Sequence, residues 1–398
     1  MENNILMAQT ERLSVVDSLR GFALLAIVLL HNLEHYNLYF IPTNYPGWLT
    51  ELDAAVWDTV FFIFAGNAYA TFSLLFGFSF FVQMRNARNR GLDFRRRFAW
   101  RMFLLALFAE FHSLFYNGDI LLLYSFCGLI LIPASSWKDR TVIIVASLLM
   151  LQPYAWGKII YALFNPEYVD TNSLFVPYAA SAEDVGMHGD WIETLANNIG
   201  NGQLYSNLWQ IEAGRIFQTP ALFLFGMLLG RHELFVKSER SRTFWRKTLK
   251  ISIIAAIPLL LLKTIVPQYI SNITIQSYYG IAIPRIYNFS FMTALVSFFV
   301  LCWFHKGDGF RFQRSVIPYG RMSLTNYICQ SIIGVAIYYN CGLGLYDDTG
   351  ALSCVAIALI IFSCQLAFSR RWLSSHRQGP LEALWKRATW LRIHLQFI

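Results

Sequence analysis

The sequence predicts an all-α, polytopic membrane protein with about ten transmembrane helices, and three observations lead to this fold class. Hydrophobic residues make up 56% of the 398-residue chain and charged residues only 14%, whereas ordinary soluble domains contain roughly 25% charged residues. The apolar residues form runs close to the ~20 residues that cross a hydrocarbon core. The basic residues lie between these runs. We therefore expect lipid to be the solvent of most of the chain.

The apolar runs define the predicted spans and their order. They cover residues 17–36, 57–84, 99–116, 119–136, 141–161, 207–230, 250–267, 284–305, 321–340 and 350–369. The first run continues into polar residues without the small-residue cleavage site of a signal peptide, so we expect the first span to be retained. The whole chain is then expected to be a single transmembrane domain.

Lysine and arginine mark one side of the membrane. Residues 85–101 and 231–250 each carry seven basic residues, and the segments that follow positions 136, 305 and 369 are basic as well. The intervening segments contain neither lysine nor arginine: 37–56, 162–206, 268–283 and 341–349. Since cytoplasmic loops are enriched in basic residues, both termini are expected in the cytoplasm. The same distribution explains the net charge of +8 without a nucleic-acid partner.

Two segments outside the spans have a recognisable character. Residues 162–206 are acidic and poor in apolar bulk, so we expect an extracytoplasmic loop that caps the bundle. Residues 372–398 are expected to form a cytoplasmic amphipathic tail. Its apolar residues recur at helical spacing: Leu381, Leu384, Trp385, Ala388, Leu391 and Leu395. Basic residues lie between them, which predicts a helix at the inner membrane surface.

The first span contains three ionisable residues, which are costly in lipid and therefore suggest a function. Asp17 and Arg20 are one turn apart, and His31 follows Arg20 after three turns, roughly 16 Å along one face. In one interpretation, Arg20 binds a phosphate-bearing donor and His31 takes a proton from an acceptor on the other side. In the other, Asp17 and Arg20 form a structural ion pair and His31 is a satisfied interior polar group.

The end of the third span carries a second histidine in the segment HSLFYNGD. His112 and Asp119 flank its Asn-Gly turn, so they can meet across the turn, where the carboxylate would orient and charge the imidazole. Asp119 can equally be a turn-capping residue. Glu110 lies about 200° around the helix from His112 and must face elsewhere.

Three charged residues occur in later spans. Glu212 and Arg215 have the i,i+3 spacing of a structural charge pair. Arg285 follows Pro284 at the predicted start of a helix, where it would bind an anionic ligand or extend its charge to the membrane surface. We retain Arg285 as a candidate substrate-binding residue.

The ninth predicted span carries a polar stripe. Ser323, Asn326 and Gln330 lie within about 60° of one another on a helix. Such a stripe must face protein or water in a membrane. It either forms hydrogen bonds between helices or lines a substrate cavity, and the three residues are candidate substrate-binding residues in the second case.

Several enzyme signatures are missing from the sequence. It contains no GxxxxGK[ST], GxSxG or HExxH motif, so nucleotide hydrolysis, serine hydrolysis and zinc chemistry lack support. The six cysteines show no metal-ligand spacing and are expected to be small apolar residues of the core. We expect no metal site and no permanently bound cofactor.

Five segments resemble the YeiB-like membrane proteins, a family known as domain of unknown function 418. They are VVDSLRGFALLAIVLLHN, FSLLFGFSF, HSLFYNGDILLLYSFCGLIL, GRMSLTNYICQS with GLGLY, and GPLEALWK, and they extend over almost the whole chain. The family is grouped with the transmembrane acyltransferases, whose relatives include acyltransferase-3 proteins and heparan-α-glucosaminide N-acetyltransferases. The resemblance implies that an acyl group, acetyl by expectation, passes from cytoplasmic acyl-CoA to an acceptor beyond a bacterial plasma membrane.

The acyltransferase-3 relatives carry a basic residue and a histidine in the first span, and Arg20 and His31 have that spacing. By resemblance, Arg20 would contact the donor phosphates, His31 or His112 would act as the general base, and Asp119 would orient the base. The expected partners are the lipid bilayer, acyl-CoA as co-substrate, and a glycan, lipid or small molecule as acceptor; a homodimer is a further expectation. The competing class is a transporter or flippase whose buried polar residues line a pathway for an anionic solute.

Overall fold

The fold is helical throughout the part of the chain that the structure describes. The structure is a computed structural model, and it describes residues 13–42, 45–170, 172–307 and 309–391. Within these ranges no β-strand is formed. The helices are α1 Ser14–Leu33, α2 Gly47–Phe64, α3 Ala68–Arg88, α4 Arg95–Ser113, α5 Leu121–Gly128, α6 Leu131–Ala134, α7 Asp139–Met150, α8 Pro153–Phe164, α9 Val176–His188, α10 Trp191–Asn197, α11 Gln203–Glu212, α12 Arg215–Arg231, α13 Glu239–Ile265, α14 Ile273–His305, α15 Arg311–Ser315, α16 Ile317–Arg321, α17 Ser323–Tyr338, α18 Ala351–Ser375 and α19 Pro380–Trp390.

Several of these helices are long and apolar enough to cross a bilayer. Among the described residues, five helical segments satisfy both criteria, and the number rises to seven if each of two bent helix pairs is one span. Each of the ten predicted spans overlaps at least one helix. The protein is therefore an all-helical membrane protein, as the composition predicts.

Three predicted spans are interrupted by residues in the left-handed region of backbone space. The predicted span 57–84 consists of α2 and α3, which meet at Gly66 with φ +74°. Helices α7 and α8 are bent by 50° at Gln152, where φ is +59°. The helical segment before α12 is bent from it by 68° at Gly214, where φ is +74°. Glycine adopts this conformation without steric cost, and hydropathy alone does not reveal such breaks.

The eighth predicted span begins earlier than expected. Helix α14 starts at Ile273 and continues through Pro284, so the prediction that a helix begins at position 284 is wrong. A proline inside a helix leaves the carbonyl four residues earlier without its helical partner. That carbonyl belongs to Gly280, which is exposed, and the interruption is therefore tolerated at this point.

The predicted loop 162–206 is mostly helical. It contains α9 and α10 and the beginning of α11. Helix α10 starts with a capping box, in which the Asp190 carboxylate accepts from the Glu193 backbone N–H (2.9 Å) and the Glu193 carboxylate accepts from the Asp190 N–H (2.9 Å). This reciprocal pairing satisfies two free N–H groups and stabilises a short polar helix. The segment predicted as a capping loop thus contains regular helices, and its extracytoplasmic side stays a prediction.

The connecting segments gather at two ends of the bundle. At one end, which we call the basic end, Arg231 at the end of α12 forms a 2.7 Å ion pair with Asp139 at the start of α7. At the other, which we call the base-poor end, the His35 ring after α1 is hydrogen-bonded to the Thr349 carbonyl before α18 (2.8 Å). Segments that the sequence assigns to the same side are thus in contact with each other.

Close helix crossings near the centre depend on glycine. Helices α3 and α12 cross so that Gly77 faces the Phe223 backbone and Gly226 faces the Leu74 backbone, with no room for a side chain at either glycine. Such reciprocal small residues let helix backbones approach closely in membrane proteins. Helix α1 is buried along most of its length and contacts α3, α17 and α18. It is the central helix of the bundle.

The C-terminal helix α19 packs on protein rather than only on the membrane surface. Glu382 accepts hydrogen bonds from the Thr325 backbone N–H (3.1 Å) and hydroxyl (2.6 Å) at the start of α17. The Arg101 guanidinium lies 3.4 Å from the Trp385 ring centroid. The predicted helix is confirmed, although Leu395 lies outside the described residues. It holds α4 and α17 together at the basic end.

Candidate active site

His112 and Asp119 form a buried, directly bonded pair. The His112 Nδ1 donates a 2.7 Å hydrogen bond to Oδ1 of Asp119, and both side chains are buried. The second carboxylate oxygen accepts from the Leu122 N–H (3.0 Å) at the first turn of α5. Asp119 therefore orients the imidazole and also satisfies a helix N-terminus, so both sequence interpretations of this carboxylate hold.

The second nitrogen of His112 is available for chemistry. In a neutral His112 whose Nδ1 donates to the carboxylate, Nε2 presents its lone pair. This Nε2 is buried without a hydrogen-bond partner among the described residues. A neutral imidazole fixed by a carboxylate on one nitrogen and free on the other is the arrangement of a general base. Glu110 faces elsewhere, as predicted, and accepts from Gln203 (2.9 Å).

His31 lies beside this pair and shares its aromatic neighbours. The Tyr116 ring centroid is 5.4 Å from that of His31 and 5.9 Å from that of His112. The Tyr327 ring is 6.4 Å from His31 and 5.0 Å from His112. Nδ1 of His31 is buried and also lacks a hydrogen-bond partner. The structure thus brings His31, His112 and Asp119 together, and His31 is not the satisfied polar group of the structural interpretation.

A strained segment follows α1 and covers His31. Four residues with side chains have positive φ: His35 (46°), Tyr36 (53°), Asn37 (81°) and Tyr39 (49°). Each such conformation costs of order 1–3 kcal/mol and is typical of functional sites. The turn carries the Tyr36 ring to 5.6 Å from that of His31. Sequence reasoning missed this segment because neither glycine nor proline marks it.

A cavity of about 570 Å³ lies at the basic end, between α1, α3, α4, α17 and α19. Its volume is within the range of small-molecule sites. Its charged lining consists of Asp17, Arg20, Arg85, Arg90, Arg101, Arg321, Glu382 and Lys386. Six basic residues against two acidic ones suit an anionic ligand, and guanidinium groups bind phosphate by paired hydrogen bonds. We call this cavity the basic cavity.

The basic cavity also has an apolar region, which approaches His112 through Tyr327. It is lined there by Leu105, Leu121, Tyr124 and Tyr327. Since the Tyr327 ring also lies 5.0 Å from the His112 ring, a single tyrosine separates the cavity from the His112–Asp119 pair. The cavity therefore combines cationic residues with an apolar region next to a general base.

Arg20 both forms the predicted ion pair and lines the basic cavity, so both interpretations of this residue apply. Its guanidinium forms a 2.9 Å ion pair with Asp17, which confirms the predicted pair, and it also donates to the Ser79 hydroxyl. The Arg20 side chain remains 21% exposed and lines the basic cavity. Asp17 thus holds Arg20 in place, and its charge still faces the cavity.

The polar stripe of α17 divides between two surroundings. Ser323 lines the basic cavity. Asn326 is buried and donates to the Ser369 hydroxyl of α18 (3.0 Å), while Gln330 is buried and accepts from the Tyr319 hydroxyl of α16 (3.3 Å). Both residues therefore join neighbouring helices, while Nε2 of Gln330 is buried without a partner among the described residues, and their substrate-binding role stays a prediction.

The predicted pair of Glu212 and Arg215 is not formed. Gly214 bends the chain between them, so that Glu212 accepts from the Ser173 hydroxyl (2.9 Å) while Arg215 lies over two aromatic rings. The i,i+3 rule applies only within a continuous helix. Arg285 is half-buried within α14 and donates from Nε to a backbone carbonyl just before α12 (2.7 Å).

Four residues of the site were not singled out in the sequence: Tyr116, Tyr327, Arg101 and Trp385. Aromatic residues form 17% of the chain, so no single tyrosine or tryptophan stands out. The only signal for Tyr327 is its position at the edge of the polar stripe, about 40° around α17 from Ser323. No cluster of three or more metal-ligating side chains occurs among the described residues.

Comparison with known proteins finds a family match in the C-terminal part and relatives that are themselves uncharacterized. Residues 229–392 match a family described as "Protein of unknown function (DUF418)". The uncharacterized protein YxaH of Bacillus subtilis is 26% identical over 96% of this chain and 95% of its own length. The uncharacterized protein YeiB of Escherichia coli is 28% identical over 95% of this chain and 96% of its own length. No solved structure is significantly similar to the chain. With a family match in its C-terminal part and two bacterial relatives aligned over nearly their whole length, the chain is similar to the YeiB-like proteins.

Proposed function

We propose that the protein is an acyltransferase of the bacterial plasma membrane, which moves an acyl group, in the first instance acetyl, from cytoplasmic acyl-CoA to an acceptor on the other side. The observation that carries the proposal is the His112–Asp119 pair with its unpartnered Nε2. The basic cavity, which ends one tyrosine away, offers a route for the donor. The acceptor is a glycan, a lipid or a small molecule.

The proposal requires ten spans with the basic end in the cytoplasm. The alternation of basic segments with segments that lack lysine and arginine supports this orientation. Contacts between segments assigned to the same side, such as Arg231 with Asp139, support the count of crossings. Acyl-CoA is a cytoplasmic metabolite with several phosphate charges, and it would therefore meet the six basic residues of the cavity first.

The chemistry follows from the protonation state of the pair. Nε2 of His112 accepts the proton of an acceptor hydroxyl or amine while the acceptor oxygen or nitrogen forms a bond to the thioester carbonyl carbon. The carbon–sulfur bond breaks and its electron pair leaves with sulfur, which takes the proton back from the imidazolium to give the CoA thiol. Asp119 keeps the proton on Nδ1 and stabilises the imidazolium. Arg20 and its neighbours hold the donor phosphates.

The proposal is tested with purified protein, labelled acetyl-CoA and a bacterial envelope extract as the source of acceptor. We expect acceptor-dependent release of CoA thiol, and a loss of about 10²- to 10⁴-fold in His112→Ala, the usual contribution of a general base. His188→Ala is the matched control, because His188 forms an analogous pair with Asp184 (3.1 Å) that is exposed. Comparison of His31→Ala with His112→Ala identifies the base.

Other outcomes of the same experiment favour other functions. If His112→Ala releases CoA as fast as the wild type and His31→Ala does not, His31 is the base and the role given to the His112–Asp119 pair is wrong. If the wild type releases no CoA but mediates uptake of an anionic solute into liposomes, the protein is a transporter. The buried cations Arg215 and Arg285 would then line its pathway.

A further inference from the structure

Two arginines converge on one tyrosine near the base-poor end. The Arg215 guanidinium, at the start of α12, lies 4.5 Å from the Tyr69 ring centroid and 4.4 Å from that of Trp209. Arg285 of α14 interacts with the side chain of the same Tyr69. Neither arginine forms an ion pair with a carboxylate among the described residues. Two unneutralised guanidinium groups in one place are costly within a membrane protein.

The same region contains an unusual number of unpaired hydrogen-bonding atoms. Nε of Arg215, Nε2 of Gln218 and Oγ1 of Thr219 are all buried and have no hydrogen-bond partner among the residues that the structure describes. Gln218 and Thr219 are completely buried. The three residues have i, i+3 and i+4 spacing, so they share one face of the first turn of α12. Buried polar groups are almost always paired, which suggests that a ligand completes these bonds.

This face of α12 is also electrostatically suited to an anion. The first turn of a helix has free N–H groups and a partial positive charge, which favour phosphate or carboxylate groups. Arg215 and Arg285 retain accessible surface, so a ligand can reach them from outside. Among the described carboxylates, that of Glu34 interacts electrostatically with Arg215. Its single charge does not balance two arginines.

The arginines lie close to the histidines. His31 and Arg215 interact electrostatically, and His31 shares Tyr116 and Tyr327 with His112. His31 is partly accessible and its Nδ1 is unpaired. A molecule held by the two arginines would therefore have its remaining part next to the imidazole rings.

We propose that Arg215 and Arg285 bind a phosphate group of the acceptor, so that the acceptor is a phosphorylated molecule that enters from the base-poor end. A phosphate matches the site because it offers several oxygens to two guanidinium groups, the Thr219 hydroxyl and the N-terminus of α12. The identification of this ligand as the acceptor rests on the proposed acyltransferase function. The phosphate site itself does not.

The test uses the fluorescence of Trp209, which lies against Arg215. The protein is studied in maltoside micelles and phosphate-free chloride buffer, and it is titrated with inorganic phosphate or with a short-chain phosphatidic acid. We expect a saturable change that is absent in Trp209→Phe, which distinguishes this site from phosphate bound in the basic cavity. Arg285→Gln keeps the reporter Trp209 and should weaken phosphate binding at least tenfold. Lys158→Gln is the control, because Lys158 is a cation paired with Asp170 (2.7 Å).

Each outcome has a defined meaning. Saturation by inorganic phosphate indicates a soluble phosphorylated acceptor, and saturation by phosphatidic acid alone indicates a lipid phosphate; both support the site. No saturable change with either probe, or equal affinities in the wild type and Arg285→Gln, overturns it. If Arg285→Gln does not fold, Arg285→Lys should give an intermediate loss, because lysine keeps the charge without the paired hydrogen bonds.

Different experimental results would refute the phosphate site and the acyltransferase proposal. His112→Ala should bind phosphate like the wild type, because His112 is not among the residues that hold the anion. Phosphate binding without any CoA release from the wild type refutes the enzyme proposal and leaves the site. Release of CoA that depends on His112 but not on Arg215 or Arg285 refutes the assignment of the bound phosphate group to the acceptor and leaves the enzyme.

Discussion

The ring of Tyr327 lies 5.0 Å from the ring of His112, and the same tyrosine lines the apolar region of the basic cavity. This contact connects two features that lie far apart in the sequence. On one side are the cationic residues that suit a donor with phosphate groups. On the other are two histidines with unpaired nitrogens. The proposed transfer across the membrane depends on this short separation.

Two different substitutions of Asp119 distinguish the roles of its two contacts. Asp119→Asn keeps an oxygen that can accept from the Leu122 N–H but no longer carries the charge that stabilises a protonated His112. We expect acyl transfer to fall about 10²- to 10⁴-fold with little change in melting temperature. Asp119→Ala should lose the helix cap as well, at about 1 kcal/mol. Normal activity of Asp119→Asn would contradict the orienting role.

The docking of α19 should depend on Glu382. Its carboxylate accepts from two backbone N–H groups and one hydroxyl at the start of α17, and hydrogen bonds to a charged group contribute about 1.5–3 kcal/mol each. Glu382→Gln should expose α19, so that trypsin cleaves at Lys386 or Arg387 at least tenfold faster in limited proteolysis. Glu239→Gln, an exposed carboxylate on α13, is the control. Equal cleavage rates would show that Glu382 does not hold α19.

The crossing of α3 and α12 should reject even one added methyl group. In Gly77→Ala or Gly226→Ala the new Cβ would collide with backbone atoms of the partner helix, and such overpacking costs about 1–3 kcal/mol. Thermal unfolding should show a clear fall in melting temperature. Gly157→Ala on α8 is the matched control, since nothing lies within 4 Å of the added atom and alanine favours a helix. If all three variants have the same melting temperature, the crossing has room for an added methyl group, contrary to the prediction.

Asp170 should make stability depend on pH. The hydrogen bond from the Lys158 ammonium, with those from Tyr278 and Tyr168, holds the pKa of the Asp170 carboxyl below its ordinary value. A lowered folded-state pKa stabilises the fold above the unfolded-state value of about 3.9, and this contribution is lost as pH falls through the folded-state pKa. Asp170→Asn should therefore melt at a lower temperature than the wild type at pH 7.

The difference between Asp170→Asn and the wild type should shrink as the pH is lowered below about 4, where the carboxyl of the unfolded state becomes protonated, and should vanish below the lower folded-state pKa. Asp184→Asn is the control, because Asp184 is 75% exposed and an exposed pair contributes little. Equal melting temperatures of Asp170→Asn and the wild type at pH 7 would count against a stabilising role for the carboxylate.

Local patterns in the sequence predicted the parts of the site that lie within one segment. The turn in HSLFYNGD was enough to bring His112 to Asp119, and the i,i+3 spacing was enough for Asp17 and Arg20. The pairing of Glu212 with Arg215 failed because Gly214 breaks the helix, and spacing rules do not register a change of direction.

Contacts between distant segments could not be predicted in the same way. The approach of Tyr327 to His112 depends on how α17 packs against α4 and α5, and nothing in either segment specifies that packing. The role of Asn326 and Gln330 depended on which helix faces the polar stripe, since the same amide can join helices or bind a substrate. The strained turn at Tyr36 is held by tertiary contacts and has no signature in composition.

The most direct measurement of the central claim is acyl transfer across oriented membranes. Inside-out vesicles expose the basic end, and labelled acetyl-CoA added outside them should give labelled acceptor within the lumen. His112→Gln should abolish this transfer and His188→Gln should leave it unchanged. Transfer by His112→Gln at the wild-type rate, or transfer only when acetyl-CoA is supplied at the base-poor end, would contradict the account.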